Sequence, residues 1–209
     1  MKLPALLLAT ALGAGAFAQT HEEAKTLLNE VYESTLALET QHITFINSVE
    51  APSQGGMKEH ESEGELFAKG EMIRIKTKSF IFLSDGSKAY FIYPDDEEIE
   101  EAADSEETSL SPADILKQYQ DGYSYKMAGQ ERKGELVITY IRLKPVASEE
   151  VKEILLGVDA TKKLLVNYKQ FGLNGVNNSF EVLTYETNVP LNANLFDING
   201  PDFSGFYRL

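Results

Sequence analysis

The chain has 209 residues, no cysteine and a formal net charge of −14. Without cysteine no disulfide framework can form, so stability must come from a packed core, for which this length is ample. So acidic a chain is a poor partner for nucleic acid or an anionic lipid surface.

Residues 1–18 read as an export leader: Lys2, a short apolar run from Leu3 to Ala14, and Ala16-Phe17-Ala18 as a cleavage site. Cleavage after Ala18 is expected, leaving one domain over residues 19–209. The run is too short to span a bilayer. No cysteine follows it, so the chain is not expected to carry a lipid anchor of its own.

Thr20-His21-Glu22-Glu23 has the spacing of a capping box and predicts a helix to about Leu38. Ala24, Leu27, Leu28, Val31, Thr35 and Leu38 recur at helical spacing and give one apolar stripe. Gln41 to Glu50 reads as a strand and Pro52 to Gly56 as a loop.

The segment Gly64 to Pro94 predicts three consecutive strands. Asp85-Gly86 marks a two-residue hairpin between the last two, because both residue types tolerate positive φ. Met72 to Lys78 alternates, with Ile73, Ile75 and Thr77 on one face and Arg74, Lys76 and Lys78 on the other, outward face. Lys69 has the numerical parity of Ile73, which puts a basic residue on the apolar side. Phe80 to Leu83 and Ala89 to Tyr93 are apolar without interruption. A hairpin with one wet face alternates instead. Both faces of this block therefore need an apolar neighbour: a helix, a second sheet or a greasy ligand.

Residues 95–110 form an acidic stretch, read as a solvated loop because it lacks the glycine turn and ligand spacing of a calcium site. Ser111-Pro112-Ala113-Asp114 then opens a short amphipathic helix through Ile115, Leu116 and Tyr119, ending at Asp121-Gly122. Strands follow at Tyr123–Met127, Glu135–Leu143, Ile154–Val158, Leu164–Tyr168 and Ser179–Tyr185. The tail from Asn188 is punctuated by Pro, Asn and Gly.

The three histidines, His21, His42 and His60, lack metal-ligand spacing, and no nucleophile elbow, P-loop or dinucleotide fingerprint is present. A non-enzymatic chain with no cofactor is expected.

The order of these motifs resembles the outer-membrane lipoprotein carrier family, LolA. The residues that carry the resemblance are Phe45, Gly64-x-Leu66, Ser84-Asp85-Gly86, Tyr90 to Pro94, Ser111-Pro112 with Ile115-Leu116, Leu143-x-Pro145, and Phe196 with Gly200-Pro201. The resemblance implies a mainly β fold: an unclosed antiparallel half-barrel with an N-terminal helix and a second short helix as a lid over an apolar cavity. It also implies a periplasmic, monomeric carrier of acylated lipoproteins. Such a carrier is loaded by an inner-membrane lipoprotein-releasing transporter and unloaded by an outer-membrane acceptor. A lipid- or lipoprotein-binding sensor on the same scaffold is the alternative. Leu27, Val31, Ile73, Ile75, Phe82 and Leu116 are the expected cavity and lid lining. The basic latch of the family falls on Lys69, where this chain has Lys-Gly in place of Arg-Pro. Lysine lacks the planar guanidinium fork, so a different latch is implied.

Overall fold

Among the described residues, alternation of apolar residues across long stretches of the chain produces a single twelve-stranded sheet. The computed structural model describes residues 12–102 and 111–209. The first helix, α1, spans Leu12–Leu36. It starts ahead of the expected Thr20 cap, where Ala14, Ala16 and Ala18 favour continuing the helix despite two glycines. The rest of the expected leader lies outside the described residues.

The next five strands are β1 (Gln41–Ser53), β2 (Gly56–Lys69), β3 (Met72–Thr77), β4 (Ile81–Asp85) and β5 (Ala89–Tyr93). The expected Pro52–Gly56 loop is only a tight turn, as Ser53 already pairs with Gly56. The Gly64–Pro94 block contains the end of β2 as well as β3, β4 and β5, one strand more than the sequence suggests. The hairpin at its centre is shifted by one residue. Asp85 N–H donates to the Lys88 carbonyl, so Gly86 and Ser87 are the two loop residues. Only Gly86 takes a positive φ, 92°. Asp85 Oδ1 braces the loop by accepting from the Ser87 and Lys88 amides at 2.8 and 2.9 Å.

Within the acidic stretch lies an unexpected strand, β6 (Glu98–Glu101). Its one apolar residue, Ile99, pairs with Ile92 and is buried, which fixes a segment that charge alone would leave in water. The part of this stretch at residues 103–110 lies outside the described residues. The second helix, α2, covers Pro112–Lys117. Then come β7 (Tyr123–Lys133), β8 (Leu136–Pro145), β9 (Val151–Asp159), β10 (Leu164–Gly172) and β11 (Asn177–Thr187), all close to the expected strands but longer. Two 3₁₀ turns, Ala193–Phe196 and Pro201–Phe203, lead to β12 (Tyr207–Arg208).

The sheet order is β12-β6-β5-β4-β3-β2-β1-β11-β10-β9-β8-β7. Every pairing is antiparallel except the short β12–β6 contact. The first and last strands do not pair, so the sheet stays an open half-barrel.

The apolar runs in β4 and β5 now have partners on both sides. Ile81, Leu83, Tyr90, Ile92 and Ile99 pack on the outer face against Ile198, Phe203 and Phe206 of the C-terminal tail. Phe82 and Ala89 face inward with Ile43, Phe45, Leu66 and Ile73. Arg74 shares the outer face but is not solvated: it is buried beneath the tail. Its guanidinium donates to the Leu195 carbonyl at 3.1 Å and to Asp202 at 3.4 Å, under the ring of Phe203. The sequence places Arg74 with Lys76 and Lys78 in water. The tail, whose path no periodicity reveals, overrides that placement.

A candidate apolar binding cavity between sheet and helices

Inside the half-barrel, α1 packs over one half of the sheet. Ala24, Leu28 and Val31 form a dry cluster with Leu116, Tyr125, Ile141 and neighbouring strand residues. The edge strand β7 is tied to the helix as well, since Tyr125 N–H donates to His21 Nδ1 at 3.3 Å. The other half, formed by β1, β2 and β3, receives no such cover from α1. There α2 stands off the sheet and leaves a cavity of about 340 Å³.

Register explains the lining. Leu66 pairs with Ile43 on one side and with Ile75 on the other, so the three side chains stand in one row on the concave face. Gly64 opposes Phe45, and its missing side chain leaves room for the Phe45 ring, whose nearest atom lies closer to where a Cβ would sit than any allowed contact. The Phe180 ring, from β11, packs tilted against the Phe45 ring, with 4.8 Å between centres. Leu165 and Tyr168 of β10 complete the floor, and Ile115, Leu116 and Tyr119 form the roof.

The wall presents little polarity. Thr35 Oγ1 donates to the Val31 carbonyl at 2.8 Å. Tyr185 donates to Gln41 Oε1 at 2.6 Å, and Tyr168 to Gln170 Oε1 at 2.7 Å. Burial raises the hydroxyl pKa of Tyr119, Tyr168 and Tyr185 above the usual phenol value. All three remain neutral at physiological pH. Among the described residues no fully enclosed side-chain nitrogen or oxygen lacks a partner, and no group of acidic or histidine side chains is placed to hold a metal. A wall of this kind rewards apolar surface.

Of the residues expected from sequence, Ile75 and Leu116 line the cavity. Ile73 and Phe82 share the concave face but are sealed within its apolar cluster. Leu27 and Val31 lie in the helix–sheet cluster and hold α1 in place. Lys69 is exposed and opposes Met72 across the Gly70–Glu71 turn, while Ala68 opposes Ile73. The even-length turn reverses the parity count, which puts Lys69 on the outer face and not on that of Ile73. The Lys69 side chain makes no hydrogen bond or ion pair among the described residues. Ile43, Phe180 and Tyr185 were not singled out by the sequence. Their signal was the alternation of β1 and β11, legible only once the two strands are known to be neighbours.

No protein-family model and no curated protein sequence matches the chain. Solved structures do match. An uncharacterized conserved protein from Thermus thermophilus superposes with a TM-score of 0.61 over 90% of this chain and 98% of its own, at 8% identity. The Mycobacterium tuberculosis lipoprotein LppX gives 0.58 over 84% and 99%, at 13% identity. A LolA superfamily protein from Nitrosomonas europaea gives 0.42 over 83% and 97%, at 10% identity. At such identities the likeness concerns the fold. With its open antiparallel sheet, its N-terminal helix and a second short helix over the concave face, the chain shares the fold of the Thermus thermophilus protein and of LppX.

Proposed function

We propose that this protein is a non-catalytic periplasmic carrier that holds the acyl chains of lipoproteins in the α2-covered cavity and moves them from the inner to the outer membrane. The observation that carries the reading is an uncharged apolar cavity inside an open half-barrel, lined by Ile43, Phe45, Leu66, Ile75, Leu116 and Phe180. Each methylene withdrawn from water contributes about 0.8 kcal/mol, so a chain of about sixteen carbons faces a barrier of roughly 12 kcal/mol to crossing water bare. A covered cavity removes most of it.

The volume is at the low end of the ~300–1,000 Å³ usual for small-molecule sites, so larger cargo requires α2 to move away from the sheet. No nucleotide motif occurs in the sequence, and loading and unloading fall to a releasing transporter and an acceptor in the two membranes. A photo-crosslinking residue at Ile75 should capture acylated lipoproteins in cells. Depletion of the protein should strand lipoproteins at the inner membrane. Capture of none, with sorting intact, overturns the reading.

A further inference from the structure

A second, larger cavity of about 720 Å³ adjoins the first, with Thr35 and Pro112 lining both. Its character differs. Gln41, Ser84, Ser87 and Glu71 line it, with the glycine backbone of the Gly70 and Gly86 turns. Gln41 sits at the boundary: its side-chain carbonyl accepts from Tyr185, which belongs to the apolar wall. Only 7% of Gln41 is exposed, and its Nε2 amide has no partner among the described residues. Since no fully enclosed side-chain nitrogen is left unpaired, this amide reaches the open space of the vestibule. A largely buried donor at the mouth of an apolar cavity is costly unless something accepts from it.

The charge of this vestibule is equally selective. Among the described residues, Glu71 is the one ionised residue in its lining. The basic side chains that flank the two turns point away: Lys88 pairs with Glu101 at 2.7 Å, and Lys69 is on the outer face. Anionic head groups are ordinarily recognised by Arg, Lys or a row of backbone amides. Among the described residues no Lys or Arg lines this space.

We infer that the vestibule receives the uncharged, carbonyl-bearing head of the acyl ligand, an ester or amide, with Gln41 Nε2 donating to its carbonyl oxygen and Glu71 disfavouring phosphate. This rests on the acyl-binding reading above and adds a head-group specificity to it. It separates acylated protein termini and neutral glycerides from phospholipids that share the same chains.

Three soluble probes test it on the purified protein: 1-palmitoylglycerol, N-palmitoylglycinamide and 1-palmitoylglycerol 3-phosphate, each titrated below its micellar concentration by calorimetry. Both neutral probes should bind at least about fivefold tighter than the phosphate, the size of one screened charge contact. Glu71→Lys, at an exposed turn, should close or reverse that gap. Gln41→Leu should weaken the neutral probes by about fivefold, the worth of one hydrogen bond. A preference for glyceride over amide identifies a lipid source, and the reverse an acylated amine. Equal binding of neutral and phosphate probes, unchanged in Glu71→Lys, overturns the inference and leaves the acyl cavity standing. Failure of every probe to bind overturns both.

Discussion

The Arg74 guanidinium lies 5.3 Å from the centre of the Phe203 ring, sandwiched between the outer face of the sheet and the C-terminal tail. With its bond to the Leu195 carbonyl, this makes Arg74 the clasp that holds residues 193–203 across β3 and β4. Arg74→Met keeps the bulk and removes the donors. It should lower stability by about 1–3 kcal/mol in urea titration, the value of lost charged hydrogen bonds and a cation–π contact. Asp202→Asn should cost under about 1 kcal/mol, because the Asp202 side chain is 61% exposed and its attraction is screened. Equal losses in the two variants would show that the ion pair, and not the carbonyl bond and the ring, carries the clasp.

Gly64→Ala drives a methyl group into the Phe45 ring. The ring must tilt into the cavity or the strands must part. The cost should be about 1–3 kcal/mol, with acyl-probe affinity falling alongside it. A melt with and without palmitoylglycerol separates the two effects.

Ile75→Trp fills the cavity from the sheet side, at a half-buried position with open space before it. Affinity for an acyl probe should fall at least about tenfold, a change of about 1.4 kcal/mol. The unfolding midpoint should move little, because the new ring occupies empty volume. Unchanged affinity would place the ligand elsewhere.

His42 bridges three strands on the outer face. Nδ1 meets Glu186 and Nε2 meets Glu65, each at 2.8 Å, and the ring stacks on Phe67 at 4.5 Å. Burial lowers its pKa, but the bonds to both carboxylates outweigh this and hold it above the ordinary 6.5. A raised folded value means the contribution is fully present below about 6.5 and fades as pH rises through the folded value. The protonated ring can donate to both carboxylates, whereas the neutral ring donates to one. Stability should decline by about 1 kcal/mol or less as the proton leaves, given the partial exposure. In His42→Gln that segment of the pH profile should be flat, read by urea midpoints at successive pH values.

Lys69→Leu tests the latch that the family resemblance implies. Placed on the outer face with no bonded partner among the described residues, Lys69 should be replaceable without altering the uptake of an environment-sensitive apolar dye. A changed dye signal would return it to a role at the lid.

Local pattern alone determined much of this protein. The alternation of Met72 to Thr77, the presence of a tight hairpin at Asp85-Gly86-Ser87, though not its exact loop, and the Ser111-Pro112 helix start are short-range features, and strand or helix follows from the residues themselves. The unbroken apolar runs Phe80–Leu83 and Ala89–Tyr93 also established that both faces of the sheet are covered. Which cover lies on which face was decided by tertiary structure. The tail residues Ile198, Phe203 and Phe206 carry no periodicity and claim the outer face, taking Arg74 out of water. The Gly70–Glu71 turn sends Lys69 outward because parity does not survive a change of strand. The cavity depends on pairings of high sequence separation, such as Phe45 with Val182 and Gly64. A single chain spells out which side chains are apolar, but only the register of its strands determines which of them share one wall.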